Sequence, residues 1–313
     1  MVAVEWYFRS SGTPPLCHPE PKPEQSEGTV NGLKTTRVLC YDTLMAEEQA
    51  LSQPRQTITF LGTAGARVMV ANQILASGGL WFDLDGAEIL LDPGPGTLVQ
   101  AAKRRLRAAK LKAIILSHRH LDHSGDVNIM IEAMTDGGLH RRGSLFAPRD
   151  ALEADPVVLQ YVRPYLEHIE VLQEGGSYAV GGVHFRTPLR HRHPVETYGI
   201  VFHTQTHTVS CIVDTRYFDE LCRHYKGDLL ILNVVRFEPG GVFDHLSATE
   251  AGEIIQSLRP KVAILNHFGM TMWRARPWEV AQKLSEKTGV RVIAARDGMR
   301  FDLSDLDQTS LTS

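Results

Sequence analysis

The feature that most constrains the fold of this chain is an apolar segment followed directly by a cluster of histidine and aspartate residues. The segment Lys112 to Leu116 has the composition of a buried β-strand, and the sequence Ser-His-Arg-His-Leu-Asp-His follows it, from Ser117 to His123. A tight loop after a strand can direct several imidazoles and a carboxylate at one point, and both groups bind zinc and related divalent metals. The motif therefore predicts a metal site at a strand end. A solvated polar loop is the alternative, but it is common only for one or two histidines.

Composition narrows the class of protein. With 43% hydrophobic residues among 313, the chain can bury a sizeable core in one large domain or two small ones. The formal net charge of -3 argues against binding nucleic acid through an overall basic field, although it permits a local positive patch. Any anionic substrate must therefore be held by local groups.

Cysteine usage and hydropathy bear on location. Cys17, Cys40, Cys211 and Cys222 form no Cys-x-x-Cys pair, so we expect reduced thiols and a cytoplasmic protein. The sequence contains no stretch of about 18 apolar residues, and residues 1–12 lack the basic start and apolar centre of a signal peptide. We therefore expect neither secretion by that route nor a membrane partner.

The chain is predicted to divide into three parts. Residues 1–55 are rich in proline and poor in apolar residues, and we expect a disordered or non-native N-terminal tail. A start at Met45 instead of Met1 is an alternative that the sequence leaves open. Residues 56–303 are predicted to form one α/β domain, and residues 304–313 a C-terminal tail.

Strands and helices alternate from Thr57 onward. A helix is predicted at Thr97–Lys110, and others at Val127–Met134, at Thr249–Leu258 with Thr249 as N-cap, and at Pro277–Thr288. Besides Lys112–Leu116, strands are predicted at Thr57–Leu61, Leu80–Leu84, Glu88–Asp92, Val183–Thr187, Gly199–His203, Val209–Val213, Leu229–Asn233, Val262–Asn266 and Val290–Ala294. Hairpins flanked by helices indicate two sheets packed face to face with helices outside.

Further candidate ligands stand at or after the ends of these strands. They are His193, Asp214, His245 and His267. Each one alone is a weak signal, because a lone histidine is more often structural. Their recurrence at successive strand ends, where loops converge on one edge, indicates a shared site.

Together these residues resemble the metallo-β-lactamase superfamily, over roughly Thr57 to Leu303. The resemblance implies an αββα sandwich of two mixed sheets with helices on the outer faces, and a hydrolase with a dinuclear site at one sheet edge. It implies that one metal is bound by His118, His120 and His193, and the other by Asp122, His123 and His267. Asp214 would bridge the two metals.

The chain is most similar to the ribonuclease Z-like phosphodiesterase branch of that superfamily. The resemblance rests on Phe60 to Thr63, on Asp92 to Thr97 and on His193 to Gly199, with His245 matching a further histidine beside the substrate phosphate. Only about twenty positions separate His193 from Asp214, which leaves no room for the long arm that ribonuclease Z proteins insert there to clamp tRNA. We therefore do not expect tRNA maturation.

Several assignments have competitors. His191 is an alternative to His193, which we favour because the residues after it fit the family spacing. Asp92 either orients a metal-bound histidine or caps a turn. Arg119 either contacts an anionic substrate or forms an outward salt bridge, and the segment from Met270 to Trp273 either lines the pocket or forms a dimer contact.

The resemblance and the ligand chemistry predict a metal-dependent phosphodiesterase or nuclease. Two divalent ions, zinc by ligand preference with manganese or iron as alternatives, would supply a bridging hydroxide. Asp122 would also accept a proton, and His245 would stabilise charge or protonate the leaving oxygen. The expected substrate is a small phosphodiester or a single-stranded nucleic acid. Homo-oligomer formation is left open, as are lactone, thioester or β-lactam hydrolysis on the same site and a non-catalytic nucleic-acid-binding scaffold.

Overall fold

The computed structural model describes residues 56–153 and 155–308. The predicted tail at residues 1–55 lies outside the described residues and stays a prediction. The same holds for residues 309–313 of the predicted C-terminal tail. Leu303–Leu306 form a short 3-10 turn in which Leu303 and Leu306 are buried, so packed chain continues beyond residue 303.

Strands and helices contribute about equally to the regular structure of the described residues. The strands are β1 (Thr57–Phe60), β2 (Leu80–Leu84), β3 (Ala87–Leu91), β4 (Leu111–Ile115), β5 (Ser144–Ala147), β6 (His168–Val171), β7 (Gly176–Val180), β8 (Val183–Thr187), β9 (Ile200–His203), β10 (Thr208–Ile212), β11 (Leu229–Arg236), β12 (Leu246–Ser247), β13 (Val262–Asn266), β14 (Arg291–Ala294) and β15 (Arg300–Asp302). The helices are α1 (Ala66–Ala71), α2 (Thr97–Lys103), α3 (Leu121–Ser124), α4 (Val127–Met134), α5 (Arg149–Leu152), α6 (Leu221–His224), α7 (Ala248–Leu258), α8 (Met270–Arg274) and α9 (Pro277–Thr288).

The strands form two mixed sheets. The first has the order β15-β1-β2-β3-β4-β5-β6, antiparallel from β15 to β3 and parallel from β3 to β6. The second has the order β14-β13-β11-β10-β9-β8-β7, antiparallel from β7 to β10 and parallel from β10 to β14, with β12 beside β11. Each sheet thus consists of an antiparallel hairpin region and a parallel region.

Three apolar layers hold the sandwich together. The central layer joins the inner faces of the sheets, where Phe82 and Phe202 meet with ring centroids 4.7 Å apart. A second layer packs α7 and α9 on the outer face of the second sheet, and a third packs α2 and α4 on the first. Helices therefore cover both outer faces, and the predicted αββα sandwich is confirmed.

The pattern of buried residues in each strand depends on whether helices cover that strand on the outer face of its sheet. In β8, at the antiparallel side, Phe185 is buried while His184 and Arg186 are exposed, the alternation of a strand with one solvated face. In β13 every residue from Val262 to Asn266 is buried, because α7 and α9 cover the face that the other sheet does not. Central parallel strands such as β13 are thus continuous apolar segments, which is why the sequence marked them clearly.

One helix is shorter than predicted. The helix expected at Thr97–Lys110 ends at Lys103, and the backbone of Arg105 turns into the left-handed region with φ of 59°. Leu106 then packs against the layer beneath α2, and a 3-10 turn at Ala108–Lys110 leads into β4. The apolar periodicity continued through this corner, so the sequence pattern did not reveal the break.

The N-cap of α7 also differs from the prediction. Ser247, rather than Thr249, caps the helix in a capping box: its Oγ accepts from the backbone N–H of Glu250, and Oε2 of Glu250 accepts from the backbone N–H of Ser247 at 2.7 Å. The sequence Ser247-x-x-Glu250 carries the capping-box signature and could have revealed this.

We expect Ser247→Ala to lower the free energy of unfolding by about 1–2 kcal/mol, because the backbone N–H of Glu250 in the first turn of α7 loses its acceptor. Thr249→Ala is the matched control, since Thr249 is exposed and its removal should change stability by less than about 0.5 kcal/mol. Urea unfolding of both variants checks this. Equal losses would contradict the assignment of the cap.

The structure bears on two features that the sequence linked to location, the membrane-spanning helices and the cysteines. Across the residues that the structure describes, no helix is long and apolar enough to cross a membrane. Cys211 and Cys222 are free thiols, and burial raises the pKa of Cys211. Cys17 and Cys40 lie outside the described residues, and the cytoplasmic location stays a prediction.

Candidate metal centre

The candidate site lies where parallel strands of both sheets end. The register pairs Leu91 of β3 with Ile115 of β4, and Asn233 of β11 with Asn266 of β13. The loops that follow these strands therefore begin side by side. Carboxyl ends of parallel strands at one edge are a common place for binding sites, and here they bring together residues far apart in sequence.

The first cluster consists of His118, His120 and His193, with one ring nitrogen from each within 4.8 Å of the others. His120 Nδ1 and His193 Nε2 are 3.0 Å apart. The other nitrogen of His193, Nδ1, lies 3.0 Å from the backbone carbonyl oxygen of Asp244, which accepts its proton. That contact fixes the ring so that Nε2 faces its partners.

The second cluster consists of Asp122, His123 and His267, under the same 4.8 Å limit. Asp122 Oδ2 lies 3.9 Å from His123 Nε2 and 3.6 Å from His267 Nε2. Asp122 and His123 come from α3, the single turn that begins directly after His120. One short loop and turn thus contributes to both clusters.

The buried carboxylate of Asp214 lies between the clusters. Its Oδ2 is 3.9 Å from His118 Nε2 and 3.4 Å from His123 Nε2, and its Oδ1 is 3.4 Å from His267 Nδ1. Asn233 Nδ2 donates to Oδ1 at 2.9 Å and fixes the orientation of the carboxylate. Asp214 therefore contacts members of both clusters, as a bridging ligand would.

Unpaired nitrogens test whether these residues suit metal ions. His118 Nε2, His123 Nε2 and both ring nitrogens of His267 are buried without a hydrogen-bond partner. Leaving such an atom unpaired costs about 1–3 kcal/mol, yet these atoms face one another and the carboxylates. A set of imidazole nitrogens and carboxylate oxygens is the donor set of zinc, manganese and iron sites. The residues therefore fit divalent metal ions, and which metal binds stays a prediction.

Burial keeps part of the histidine set neutral. It lowers the pKa of His118 well below the ordinary value for histidine, and it lowers the pKa of His120 to about 4. His123 and His193 add positive charge that acts in the same direction on both. Because only a neutral imidazole can bind a metal, these rings are ready to coordinate at neutral pH.

The carboxylates stay ionised despite their burial. Burial alone would raise the pKa of Asp214, but His267 and His123 hold it well below its usual range, and the same two histidines lower the pKa of Asp122. Burial would lower the pKa of His123, but Asp214 and Asp122 raise it well above its usual range. A proton on His123 thus compensates the negative charge of Asp214 and Asp122, which a bound metal ion would otherwise compensate.

Asp92 holds the loop after β4 and the ring of His123 in place by hydrogen bonds. Its carboxylate accepts from the backbone N–H of Ser117 at 2.7 Å, from the Ser117 hydroxyl at 2.6 Å and from His123 Nδ1 at 3.0 Å. Both roles left open by the sequence are therefore present, because Asp92 closes the turn after β4 and orients the ring of His123.

His191 lies apart from both clusters. Its Nε2 is 2.8 Å from the hydroxyl of Tyr225, and burial lowers its pKa to about 3. The structure thus brings His193 into the site and places His191 in the packing beneath it. The choice of His193 as ligand stays a prediction, supported by this arrangement.

His245 lies beside Asp214 and belongs to neither cluster. Its Nδ1 is 3.4 Å from Asp214 Oδ2, and its side chain remains partly exposed. Burial lowers its pKa below the ordinary value, so it is neutral at neutral pH. The guanidinium of Arg236 donates to the backbone carbonyl of His245 and fixes the residue in place.

The remaining candidates lie outside the clusters. Arg119 pairs with the exposed carboxylate of Asp155 at 3.0 Å, which corresponds to the salt-bridge alternative. The segment from Met270 to Trp273 is helical in α8, with Met272 buried against the second sheet. The edge-to-face contact of Trp273 with Trp278, at 6.0 Å, lies on the outer side of that sheet.

Sequence reasoning missed two residues that shape the site. Asn233, which orients Asp214, stands at a buried position near the end of a strand, where a polar side chain is a usable signal. The second residue is Gly65, which lies close to the backbone of His267. A Cβ there would overlap the backbone carbonyl oxygen of His267 and lie 2.6 Å from its Nδ1, and His267 itself has φ of 60°.

Two mixed sheets enclosed by helices, with histidine and aspartate clusters converging at one edge, define a metal-dependent hydrolase. A sequence profile described as a β-lactamase superfamily domain matches residues 87–268. The chain belongs to the metallo-β-lactamase superfamily.

Relatives support this membership. An uncharacterized protein of Methanocaldococcus jannaschii is 30% identical over 259 residues, which cover 80% of this chain and 96% of that protein. The probable metallo-hydrolase YhfI of Bacillus subtilis is 28% identical over 214 residues, 67% of this chain and 86% of YhfI. The crystal structure of YhfI, a metallo-β-lactamase fold protein, superimposes with a TM-score of 0.66, 22% identity, and coverage of 79% of this chain and 99% of that chain.

A ribonuclease Z of Kineococcus radiotolerans is 31% identical over 122 residues, but these cover only 39% of this chain and 37% of that enzyme. The predicted resemblance to the superfamily and to its ribonuclease Z-like members is thereby confirmed.

Proposed function

We propose that this protein is a metal-dependent phosphodiesterase or nuclease that binds two divalent ions, with zinc as the favoured metal. The observation that carries the proposal is the position of His245, whose Nδ1 lies 3.4 Å from Oδ2 of Asp214, the carboxylate between the two clusters. A histidine there adds a hydrogen-bonding group to a site whose metal-ligand set is already complete without it.

Asp122 and His245 are proposed to have different roles in hydrolysis. When bound, the metal ions would supply a hydroxide at neutral pH and positive charge for an anionic ester. Asp122, ionised and facing His267, can hold a metal and accept a proton from the nucleophile. His245 can donate its N–H to a phosphate oxygen in the transition state or to the leaving oxygen.

The substrate is proposed to be a small or single-stranded phosphodiester. One relative is a ribonuclease Z, which supports chemistry on nucleic acid or its fragments. Between His193 and Asp214, however, the chain forms only β9, β10 and their short connections. This span provides no projecting arm for a folded tRNA, in agreement with the expectation from its length.

Two other functions are less well supported. Lactone, thioester or β-lactam hydrolysis would use the same metal ions but gives no role to His245. A non-catalytic nucleic-acid-binding scaffold needs no metal ligands, whereas His118, His193, Asp214 and the remaining predicted ligands all converge at one place.

The test is turnover of bis(p-nitrophenyl) phosphate by metal-analysed protein. We expect about two metal ions per chain in the wild type and in His245→Ala, with turnover about 10²-fold lower in that variant because one transition-state contact is lost. Asp122→Asn should lose both metal and turnover. His184→Ala, an exposed histidine on β8, is the matched control and should behave as wild type.

A lactone and a β-lactam are assayed in parallel with the diester. Cleavage of either carbonyl substrate without diester turnover, and without dependence on His245, would overturn the phosphodiesterase proposal. Nucleic-acid binding that survives complete removal of metal, with no turnover of any substrate, would favour the scaffold.

A further inference from the structure

The segment from Glu238 to Phe243, here called the 238–243 loop, leads from β11 to His245. Its two ends are held firmly. Phe237 accepts at its carbonyl from the N–H of Ala248 at 3.2 Å, and its own N–H donates to the hydroxyl of Thr271 at 3.2 Å. At the other end, Asp244 pairs with Arg216 at 2.9 Å while its carbonyl accepts from the ring of His193. The loop therefore starts and ends at fixed points.

The tip of the 238–243 loop carries two apolar side chains that are largely exposed. Gly240 and Gly241 have φ of 91° and 96°, left-handed values that produce the sharp turn. The next two side chains, Val242 and Phe243, are 89% and 71% exposed. A bulky apolar pair in water gains nothing for folding, and neighbouring exposed apolar side chains often mark a binding surface.

Phe243 stands beside the proposed catalytic histidine. Its carbonyl accepts from the N–H of His245 at 3.0 Å, which closes a tight turn around Asp244. Three consecutive residues of this turn thus connect the clusters to solvent. His245 lies beside Asp214, the backbone carbonyl of Asp244 accepts from the ring of His193, and the side chain of Phe243 is exposed. A phosphate bound at His245 would therefore lie two residues along this turn from an exposed aromatic side chain.

A second apolar position occurs on the motif that supplies both clusters. Leu121, between His120 and Asp122, is 71% exposed. The helix that begins at Leu121, α3, packs against α1, where Val68 is also exposed. Exposed apolar side chains thus occur on α3, the turn that carries Asp122 and His123, as well as on the 238–243 loop.

Positive charge accompanies these apolar residues. Arg192 and Arg216 flank the ligands His193 and Asp214 in sequence, and both side chains are more than half exposed. Arg216 pairs with Asp244 at 2.9 Å, and Arg192 pairs with Glu220 at 3.8 Å and lies over the ring of Phe218 at 4.5 Å. The exposed ring of Phe243, next to Asp244, therefore favours a phosphate ester with a flat organic group over a purely aliphatic one.

We propose that Phe243 determines substrate specificity by stacking on the base of a nucleoside that is esterified to the scissile phosphate. The inference rests on the proposed function and narrows its substrate class to diesters that carry a nucleoside-like ring system. Stacking on an aromatic side chain tolerates different bases because each presents a π-face, so no selectivity among bases follows.

The experiment compares two diesters with the same leaving group, thymidine 5′-(p-nitrophenyl phosphate) and methyl p-nitrophenyl phosphate. In the full-length, metal-loaded protein, we expect Phe243→Ala to lower kcat/KM for the thymidine ester roughly 10-fold or more, and that for the methyl ester less than about 3-fold. Phe243→Trp should retain the preference for the thymidine ester, since it keeps an aromatic face. Tyr161→Ala, an exposed aromatic residue remote from the ligands in sequence, is the control and should leave both values unchanged.

The outcomes separate this inference from the proposed function. If the wild type cleaves both esters with similar kcat/KM and Phe243→Ala changes neither, the specificity role is wrong and the phosphodiesterase proposal stands. Equal losses on both esters would also overturn it, because the ring would then act on His245 or on the leaving group. If metal-loaded wild type cleaves neither ester, the proposed function itself fails.

Discussion

Asp214→Asn is expected to reduce diester turnover by roughly 10³-fold or more, the equivalent of about 4 kcal/mol of transition-state stabilisation. The carboxylate contacts His118, His123 and His267, one or more from each cluster, so its neutralisation removes the negative charge that both metal ions would share. An amide keeps the size and the position beside Asn233, which makes the loss one of charge and not of packing. Metal content measured on the purified variant should fall from about two ions per chain to one or fewer.

The control for this variant is Asp219→Asn, an exposed aspartate five positions further along the chain. It should retain metal and turnover, since it makes the same chemical change away from the clusters. Full metal content in Asp214→Asn together with normal turnover would contradict the bridging position of Asp214.

Gly65→Ala is expected to lower turnover at least 10²-fold without altering any ligand. The added Cβ would overlap the backbone carbonyl of His267 and come within 2.6 Å of its Nδ1, so His267 must move. A displacement of about 1 Å in a catalytic group can cost that factor. Because His267 belongs to the second cluster, metal analysis should show loss at one position of the pair, with the remaining ion held by His118, His120 and His193.

Gly182→Ala tests whether the effect is specific to the approach of His267. Gly182 lies in the turn between β7 and β8, and a Cβ there meets its nearest neighbour, the carbonyl oxygen of Asp85, only at 3.8 Å. This variant should match the wild type in turnover and metal content. Similar behaviour of the two alanine variants would show that the glycine at position 65 is not needed to position His267.

The sequence predicted best the parts of this fold that are buried on two faces or carry chemistry. β13 at Val262–Asn266 and β8 at Val183–Thr187 coincide with the predicted strands, because continuous burial in one and strict alternation in the other leave clear patterns. The short strands β5 and β6 were not predicted. Their apolar residues are too few to separate them from the surrounding loops.

The candidate site could be assembled from the sequence only as a set of positions. The resemblance of His118, Asp214 and His267 to a known ligand pattern indicated which residues belong together. It gave no signal for the groups that hold them, such as the Asp244 carbonyl on His193 or the Arg236 guanidinium on the carbonyl of His245. Backbone carbonyls have no sequence signature, and the carbonyl-bound arginine could equally have been a surface charge.

The N-cap of α7 shows a different limit. Thr249 and Ser247 are both good capping residues, and the choice depends on where β12 ends and the helix begins. Periodicity locates a helix to within a turn, so a neighbouring hydroxyl is easily chosen in error. Glu250, three residues after Ser247, distinguishes the two candidates, because a capping box needs both the N-cap hydroxyl and a glutamate at the third helical position.

The predicted ligands are divided between the two sheets. Residues 118–123 follow β4 of the first sheet, whereas His193, Asp214 and His267 come from loops of the second. Neither half of the sandwich has a full set of donors for both ions. Bound metal would therefore crosslink the two sheets and resist any sliding of one sheet past the other. The affinity for metal would in turn depend on how well the two sheets are aligned.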